Sequence, residues 1–551
     1  MSGKKFALLV LIALGILTTS IRTANAALYF PHVDTTYGWQ TEIAIINTGD
    51  QTVTGTLKAF KNNGDLVATE AVTLSAHGRR QINVAAEFTN NTSIGYIVFE
   101  STSDTVQGYT KFYRQGQYGY YRVAVPAIKD INTSDIYVTH IDSGTQWWTG
   151  ISLVNTTSGT KNITITFNNG QSTTRTINAY AHDAFTIGEL FNNQPQPSIK
   201  SAVITNASGV IGLELFGTND GKELEGIPLT DKTASTLYYP NVADGIAWWT
   251  GIVAYNPSNL ACSITVRPYS AQGSALTTTP LSLAGKGKYV GTVWGSAVGD
   301  LPLPTQTAWL QIDSTSPLTG FELFGSNDGE MLVGYAGGGG LGAKAGVFPK
   351  IEKSGWTNIF FVNTEAYTAS VTLTAYDDSG TAVAHRTLLV NGFNQEANSA
   401  EAFFTQSIAN ATYITYSADR NLVGFQVNGS ADNKLADGLP ALAAPSECTL
   451  DVTDWSPITE HVTSRYPTIT ATFKSSCGAN INLSSIEMRV DGSPVALTVI
   501  GSGSEIRITY TPTLPLYGYA NVVEVTVRAR DVNGVIGELT WQFEIPYFYG
   551  G

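Results

Sequence analysis

The sequence predicts an all-β protein: a tandem array of antiparallel β-sandwich modules, four of them related repeats, closed by a fifth sandwich of a different kind. Three observations lead there. Only 14% of the 551 residues are charged, yet the mean hydropathy is zero, so Thr, Ser, Asn and 54 Gly fill the gap. That composition is too aromatic for disorder and lacks the Ala/Glu/Lys/Leu bias of helical bundles. Apolar residues recur with a period of two, as in Val371-Thr-Leu373-Thr-Ala375 and Ile163-Thr-Ile165-Thr-Phe167, and turn signals such as Asn62-Asn63-Gly64 and Asp377-Asp378-Ser379-Gly380 interrupt these runs. One segment also recurs four times, and at 551 residues several domains are expected.

Residues 1–26 read as a signal peptide. Lys4 and Lys5 form the basic start, Phe6 to Leu17 the apolar stretch, and Ala24-Asn25-Ala26 the small residues before cleavage. The apolar run is shorter than the roughly 20 residues a membrane helix needs, and no later stretch supplies them. The expectation is a secreted protein, extracellular or at the cell surface, with the periplasm as the other destination. Cys448 and Cys477 suit an oxidising compartment and are expected to form a disulfide. Cys262 falls on the apolar face of Leu260 to Val266 and reads as a small buried hydrophobe.

The recurring segment runs from a tryptophan to an asparagine: Trp39 to Asn47, Trp148 to Asn155, Trp249 to Asn256 and Trp356 to Asn363. Each copy follows an aromatic stretch, Tyr29-Phe30-Pro31-His32, Tyr137-Val138-Thr139-His140, Tyr238-Tyr239-Pro240-Asn241 or Val347-Phe348-Pro349-Lys350. A second marker, Gly212-Leu-Glu-Leu-Phe-Gly-Thr-Asn-Asp-Gly221, returns at Gly320 to Gly329 and more loosely at Gly424 to Asp432, and its Asn-Asp-Gly suits a hairpin. The modules are placed at 27–130, 131–233, 234–340 and 341–446. Gly337 to Gly340 reads as a flexible joint, and the short joints elsewhere predict a string or compact arc of modules. At most one helical turn is expected per module, near Glu189 to Phe191 or Ala400 to Phe404.

Residues 447–551 differ. Tyr466 to Phe473, Ile486 to Gly492, Ile506 to Pro512 and Val522 to Asp531 run strand after strand, with a Val490-Asp491-Gly492 hairpin and an Asp531 to Gly534 turn. This pattern resembles bacterial Ig-like domains, and the four upstream modules resemble tandem repeats found in secreted proteins of Gram-negative bacteria. The resemblance implies a spacer, adhesion or binding role, and no chemistry.

The balance of 31 basic against 44 acidic residues excludes the clustered cations that nucleic acid requires. No nucleophile elbow, phosphate loop or zinc spacing is present, so no enzyme activity, cofactor or metal is expected. Among the six histidines, His32 and His140 share one repeat position and His77 and His182 another; sister repeats carry Asn241, Lys350, Lys286 and Phe393 there, so these read as exposed turn sites. Glu214 and Glu322 are expected to face solvent, because their neighbours Leu213 and Leu215, or Phe321 and Leu323, are assigned to the core.

The tryptophans carry the functional expectation. In the pairs Trp147-Trp148 and Trp248-Trp249 one ring must oppose the other. Trp147 and Trp248 are assigned to the core, leaving Trp148, Trp249 and Trp356 outward beside glycines such as Gly150 and Gly251, either as a stacking platform for a sugar or as packing. A tyrosine-rich loop with Tyr118, Tyr120 and Tyr121, and the tail 546–551, are the other candidate contacts. The expected role is non-catalytic extracellular binding or adhesion, the alternatives a carbohydrate-binding accessory protein or a subunit of a surface assembly. The expected partner is a glycan or a cell-surface protein.

Overall fold

The computed structural model describes residues 26–115, 119–243, 245–295, 300–339, 342–444, 450–458, 462–475, 480–517, 521–532 and 535–546. Residues 1–25 of the expected signal peptide, Tyr118, Cys448, Cys477 and all but the first residue of the aromatic tail lie outside them. The chain divides into two compact units, Met1–Ala444 and Pro445–Gly551.

The first repeat shows how each module is built. Strands β1 (Ala26–Phe30), β6 (Tyr96–Ser101), β3 (Val53–Phe60) and β4 (Leu66–Leu74) form one antiparallel sheet, and β5 (Arg79–Asn83), β2 (Gln40–Asn47), β7 (Val106–Arg114) and β8 (Tyr121–Pro126) form the other. Leu28, Ile43, Leu57 and Phe99 meet between them. The other three repeats follow the same order, except that single 18-residue strands, Trp309–Ser326 and Tyr413–Ser430, replace the β6–β7 pair and run through both sheets. One short helix, Ile187–Leu190, is held by a capping box of Thr186 and Glu189.

The recurring Asn has a structural cause. Asn47, Asn155, Asn256 and Asn363 are fully buried, and each side chain donates to the carbonyl four residues on, at 2.7–2.8 Å. Each therefore fixes the turn that follows β2 or its counterpart. Counting back from these residues aligns Thr41 with Thr149, Thr250 and Thr357, and aligns Trp39 with Trp147 and Gln40 with Trp148.

The four repeats close into a ring. The last strand of each, β8, Leu224–Leu229, Leu332–Ala336 and Ala436–Pro440, lies against that of the next repeat, and the fourth returns to the first. Small residues permit the approach: the Glu225 side chain lies where a Cβ on Gly334 would sit, and Val333 occupies the same place over Gly438. Ala124 and Tyr109 of the first repeat pack on Leu439 of the fourth. Gly338 and Gly339, expected as a loose joint, pair with Tyr238 and Leu237, so the chain leaves the third repeat beside the strand where it entered.

Ring closure explains why the β7-type strands are buried on both faces. Val210 joins the core of its own repeat, whereas Leu213 of the same strand, on the opposite face, packs with Phe112, Val123 and Val125 of the first repeat. The assignment of Glu214 and Glu322 to solvent is thereby overturned. Glu214 pairs across the ladder with Ile151 and is 1% exposed, and Glu322 pairs with Ile252 and is fully buried. Alternation was read correctly, but the neighbouring leucines face another module.

The second unit is a β-sandwich of its own. One sheet orders Leu450–Ser456, Ile469–Ser475, Glu505–Tyr510 and Thr498–Ile500, and the other orders Ser493–Pro494, Glu487–Val490, Val522–Arg530 and Ile536–Glu544. Phe473, Met488, Val525 and Phe543 fill its core. No helix among the described residues is long and apolar enough to cross a membrane.

Candidate functional site

The junctions between repeats bring together residues that the sequence keeps about a hundred positions apart. Three of them share one device. Phe60 and Tyr96 stack (ring centroids 5.0 Å apart), as do Tyr269 with Trp309 (4.1 Å) and Tyr376 with Tyr413 (5.5 Å). On each pair sits a turn of the next repeat: Tyr96 Oη donates to the Tyr180 carbonyl at 2.8 Å, Trp309 Nε1 to that of Phe393 at 2.9 Å, and Tyr413 Oη to that of His77 at 2.5 Å. A backbone bond follows in each case, from His182 N–H to Asn62, Gln395 N–H to Ala271 and Arg79 N–H to Asp378. At the junction of the second and third repeats the aromatic pair is replaced by Asn168 and Ser201, and Lys286 reaches the Pro257 carbonyl of its own repeat instead.

The register corrects two readings of the histidines. His77 corresponds to Tyr180, Lys286 and Phe393, which all adopt positive φ, and His182 corresponds to Arg79, Lys288 and Gln395. His182 is buried at the first junction, 3.3 Å from His32 Nδ1, and is no exposed turn residue. His140 lies between Phe216 and Phe321, with Lys288 Nζ 3.3 Å from its Nδ1. Burial holds all three imidazoles below the usual histidine range, with neighbouring charge or imidazole adding to the effect for His140 and His182.

The first junction forms a cleft of about 250 Å³. Trp148 lines it, lying over Gly150 and Gly217, where a Cβ would crowd the indole. Its Nε1 is 3.4 Å from Tyr121 Oη, and Trp39 stacks on the Tyr121 ring at 5.5 Å and 2°. Asp34 and Glu189 add carboxylates to the lining, and Leu213 and Leu215 add apolar surface. Of the tyrosine loop, Tyr121 is buried in this aromatic group, while Tyr120 stays 42% exposed beneath Lys434, 5.6 Å from its ring centroid. Trp39 was missed as a site residue because the Trp–Asn segment of the first repeat is one residue longer; aligning from Asn47 would have found it beside Trp147.

The other tryptophans occupy the same register in different company. Trp249 lies over Gly325 and packs at the second junction, and Trp356 lies over Gly429 and donates Nε1 to Asn433 Oδ1 at 2.7 Å. Trp147, assigned to its own core, turns away from Trp148 as expected but packs on Phe216 toward the third repeat (6.4 Å).

At the base of the first cleft, Ser152 Oγ is 2.9 Å from His182 Nε2, and His182 Nδ1 is 2.8 Å from Asn62 Oδ1. This has the order of a nucleophile, a base and its orienting partner. The surroundings favour packing. Ser152 also donates to the Pro31 carbonyl at 3.0 Å, and it sits mid-strand, paired on both sides with Ala184 and Leu213, so the adjoining backbone donors that an oxyanion would need are spent in the sheet.

The fourth junction, where the ring closes, is charged. Arg122 pairs with Asp437 and Glu352, and Lys350 pairs with Asp437 at 2.6 Å and with Glu352 at 3.1 Å. Arg122 and Lys350 hold the buried Asp437 carboxylate well below its usual range against the desolvation that would raise it. Glu225, on the adjacent central strand, has no such partner, and burial raises it well above the carboxylate range.

No family model and no curated protein matches this chain. Solved structures similar to it include a tetra-tandem repeat from the extending region of a large adhesion protein, with 12% identity over 80% of this chain and 95% of that one, at a TM-score of 0.12. A structure described for host-surface retention of a bacterial ice-binding adhesin matches at 8% identity over 57% of this chain and 98% of its own, TM-score 0.12. A pair of titin Ig tandem domains matches at 7% over 34% and 96%, TM-score 0.13.

Proposed function

We propose that the protein is a secreted, non-catalytic binding protein of the adhesion type, and that the cleft between the first and second repeats holds a carbohydrate. The observation that carries this reading is the setting of Trp148. One side of its indole rests on two glycines, and the ring lines a cleft that also holds Asp34 and Glu189, a combination suited to the apolar C–H face and the hydroxyls of a sugar. In this reading Tyr121 and Trp39 brace the platform, Trp249 and Trp356 clamp later junctions, and Tyr120 is a rim contact.

The repeats are taken as 27–130, 131–233, 234–340 and 341–446, delivered by cleavage of the 1–26 segment, with the C-terminal sandwich as an Ig-like spacer fastened by a Cys448–Cys477 bridge. Titration of the mature protein with an array of glycans, read by tryptophan fluorescence, tests the function. Quenching by one glycan class that Trp148→Ala abolishes and Trp356→Ala retains supports the reading; no response to any glycan, or equal loss in both variants, rejects it.

A further inference from the structure

The second junction holds a cavity of about 580 Å³, larger than the first cleft. It opens between the end of Leu224–Leu229, the connecting residues 230–234 and the middle of Trp309–Ser326. Its walls are largely apolar, from Ile227, Leu229, Leu237 and Leu318, and into it comes a single buried carboxyl group, Glu214. Glu214 is 1% exposed, and its Oε1 is buried without a hydrogen-bond partner.

The nearest cation, Lys288, acts on Glu214 through space, but its hydrogen bonds go to other groups. Lys288 Nζ donates to the Lys200 carbonyl and lies 3.3 Å from His140 Nδ1. Lys232, at the rim, is 3.2 Å from Asp231. A buried carboxyl oxygen without a hydrogen-bonding partner costs free energy that a donor brought by a ligand would recover. The apolar walls give such a ligand a second point of attachment, and the volume falls within the range of small-molecule sites.

We propose that this cavity is a binding site for a small amphiphilic primary amine, whose ammonium group is taken by Glu214 and whose hydrocarbon part rests on Ile227, Leu229, Leu237 and Leu318. The site is separate from the carbohydrate cleft and stands or falls independently of it. The register position alone does not make the site: Glu322 occupies the same place in the third repeat, with both carboxyl oxygens likewise unpartnered, and lies at a junction sealed by Trp309 and Phe393. It therefore serves as the internal control.

The test is calorimetric titration of the full mature chain at about pH 9, where the carboxyl is ionised and the amine still an ammonium, with n-hexylammonium chloride set against 1-hexanol as a neutral probe of the same length. The expected result is binding of the amine at least tenfold tighter than the alcohol, a preference lost in Glu214→Gln and kept in Glu322→Gln. Ala234→Phe, which places a ring at the cavity wall, is expected to weaken both probes and keeps the test decisive should Glu214→Gln misfold. Equal affinity for amine and alcohol, retention of the preference in Glu214→Gln, or no binding of either probe to the folded wild type overturns the proposal.

Discussion

The second and third junctions of the ring use the same backbone register and reach opposite outcomes. Between the third and fourth repeats, Trp309 is fully buried against Tyr269 and bonds the turn at Phe393, and the core of the third repeat continues into Val362, Val423, Phe425 and Val427 of the fourth. Between the second and third, Ser201 and Asn168 occupy the matching positions, Lys286 bonds Pro257 of its own repeat, Lys288 reaches the Lys200 carbonyl, and a cavity lies elsewhere in the same junction. The difference shows that closing the ring does not require every junction to be sealed. Once the central strands and the charged fourth junction hold the circle, one interface is free to carry something other than packing.

The largest test of that contrast is Trp309→Ala against Ser201→Ala. The first removes a fully buried indole and orphans the Phe393 carbonyl, an expected loss of ~3–5 kcal/mol. The second removes one small buried hydroxyl and should cost about 1 kcal/mol or less. Urea denaturation of both variants measures the difference, and equal losses would mean that the third junction is not the tighter one.

Next comes the fourth junction. Asp437→Asn leaves Arg122 and Lys350 with Glu352 alone of the two carboxylates they share and is expected to cost about 3 kcal/mol. Because the folded carboxyl is held below its unfolded value of about 3.9, its contribution is present above that pH and is lost as pH falls further. An acid titration of stability should show the wild type falling steeply below about pH 4 and Asp437→Asn falling less.

Glu214 and Glu322 have the opposite sign. Burial raises Glu214 to about 8, countered in part by Lys288, and pushes Glu322 well above the carboxylate range. Their contribution is complete below the unfolded value of about 4.3 and is lost as pH rises toward the folded one. Between about pH 4.5 and pH 6 Glu214 should cost about 2 kcal/mol and Glu322 should act in the same direction, and Glu214→Gln or Glu322→Gln should flatten that slope in melting curves. A ligand at Glu214 would separate the two otherwise parallel responses.

The smallest effect comes from imitating the sealed junctions. Ser201→Tyr offers a hydroxyl to the turn at Lys286, with an expected gain of about 1 kcal/mol if the bond forms. An unchanged melting temperature would place the looseness of this junction in its backbone and not in the missing side chain.

Much of this was legible in the chain. Period-two runs gave the strands, the Trp-to-Asn segment gave the repeat, and Asn-Asp-Gly marked the hairpins at Gly221 and Gly329, both at positive φ. Cys262 is buried and free, as alternation on its strand indicated. The aromatic docks were also written there, since Tyr96, Trp309 and Tyr413 precede matching positions Ile97, Leu310 and Ile414 while Ser201 precedes Ala202, but a single residue change in a repeat carries no meaning until its partner turn is known. Which face of a strand is outside was not legible. Alternation separates Leu213 from Glu214 but cannot say that the leucine meets another repeat. The histidines were misread for the same reason: variation among sister repeats looked like exposure, whereas each junction fills the same buried position with its own chemistry.

The sequence by itself determined the sandwiches and their number, because side-chain alternation and turn formation are local properties of a strand and its neighbours. Only the tertiary structure decided that four sandwiches close on one another, which carboxyls and imidazoles are thereby stripped of water, and where the circle leaves a gap, because those outcomes depend on contacts between residues about a hundred or more positions apart.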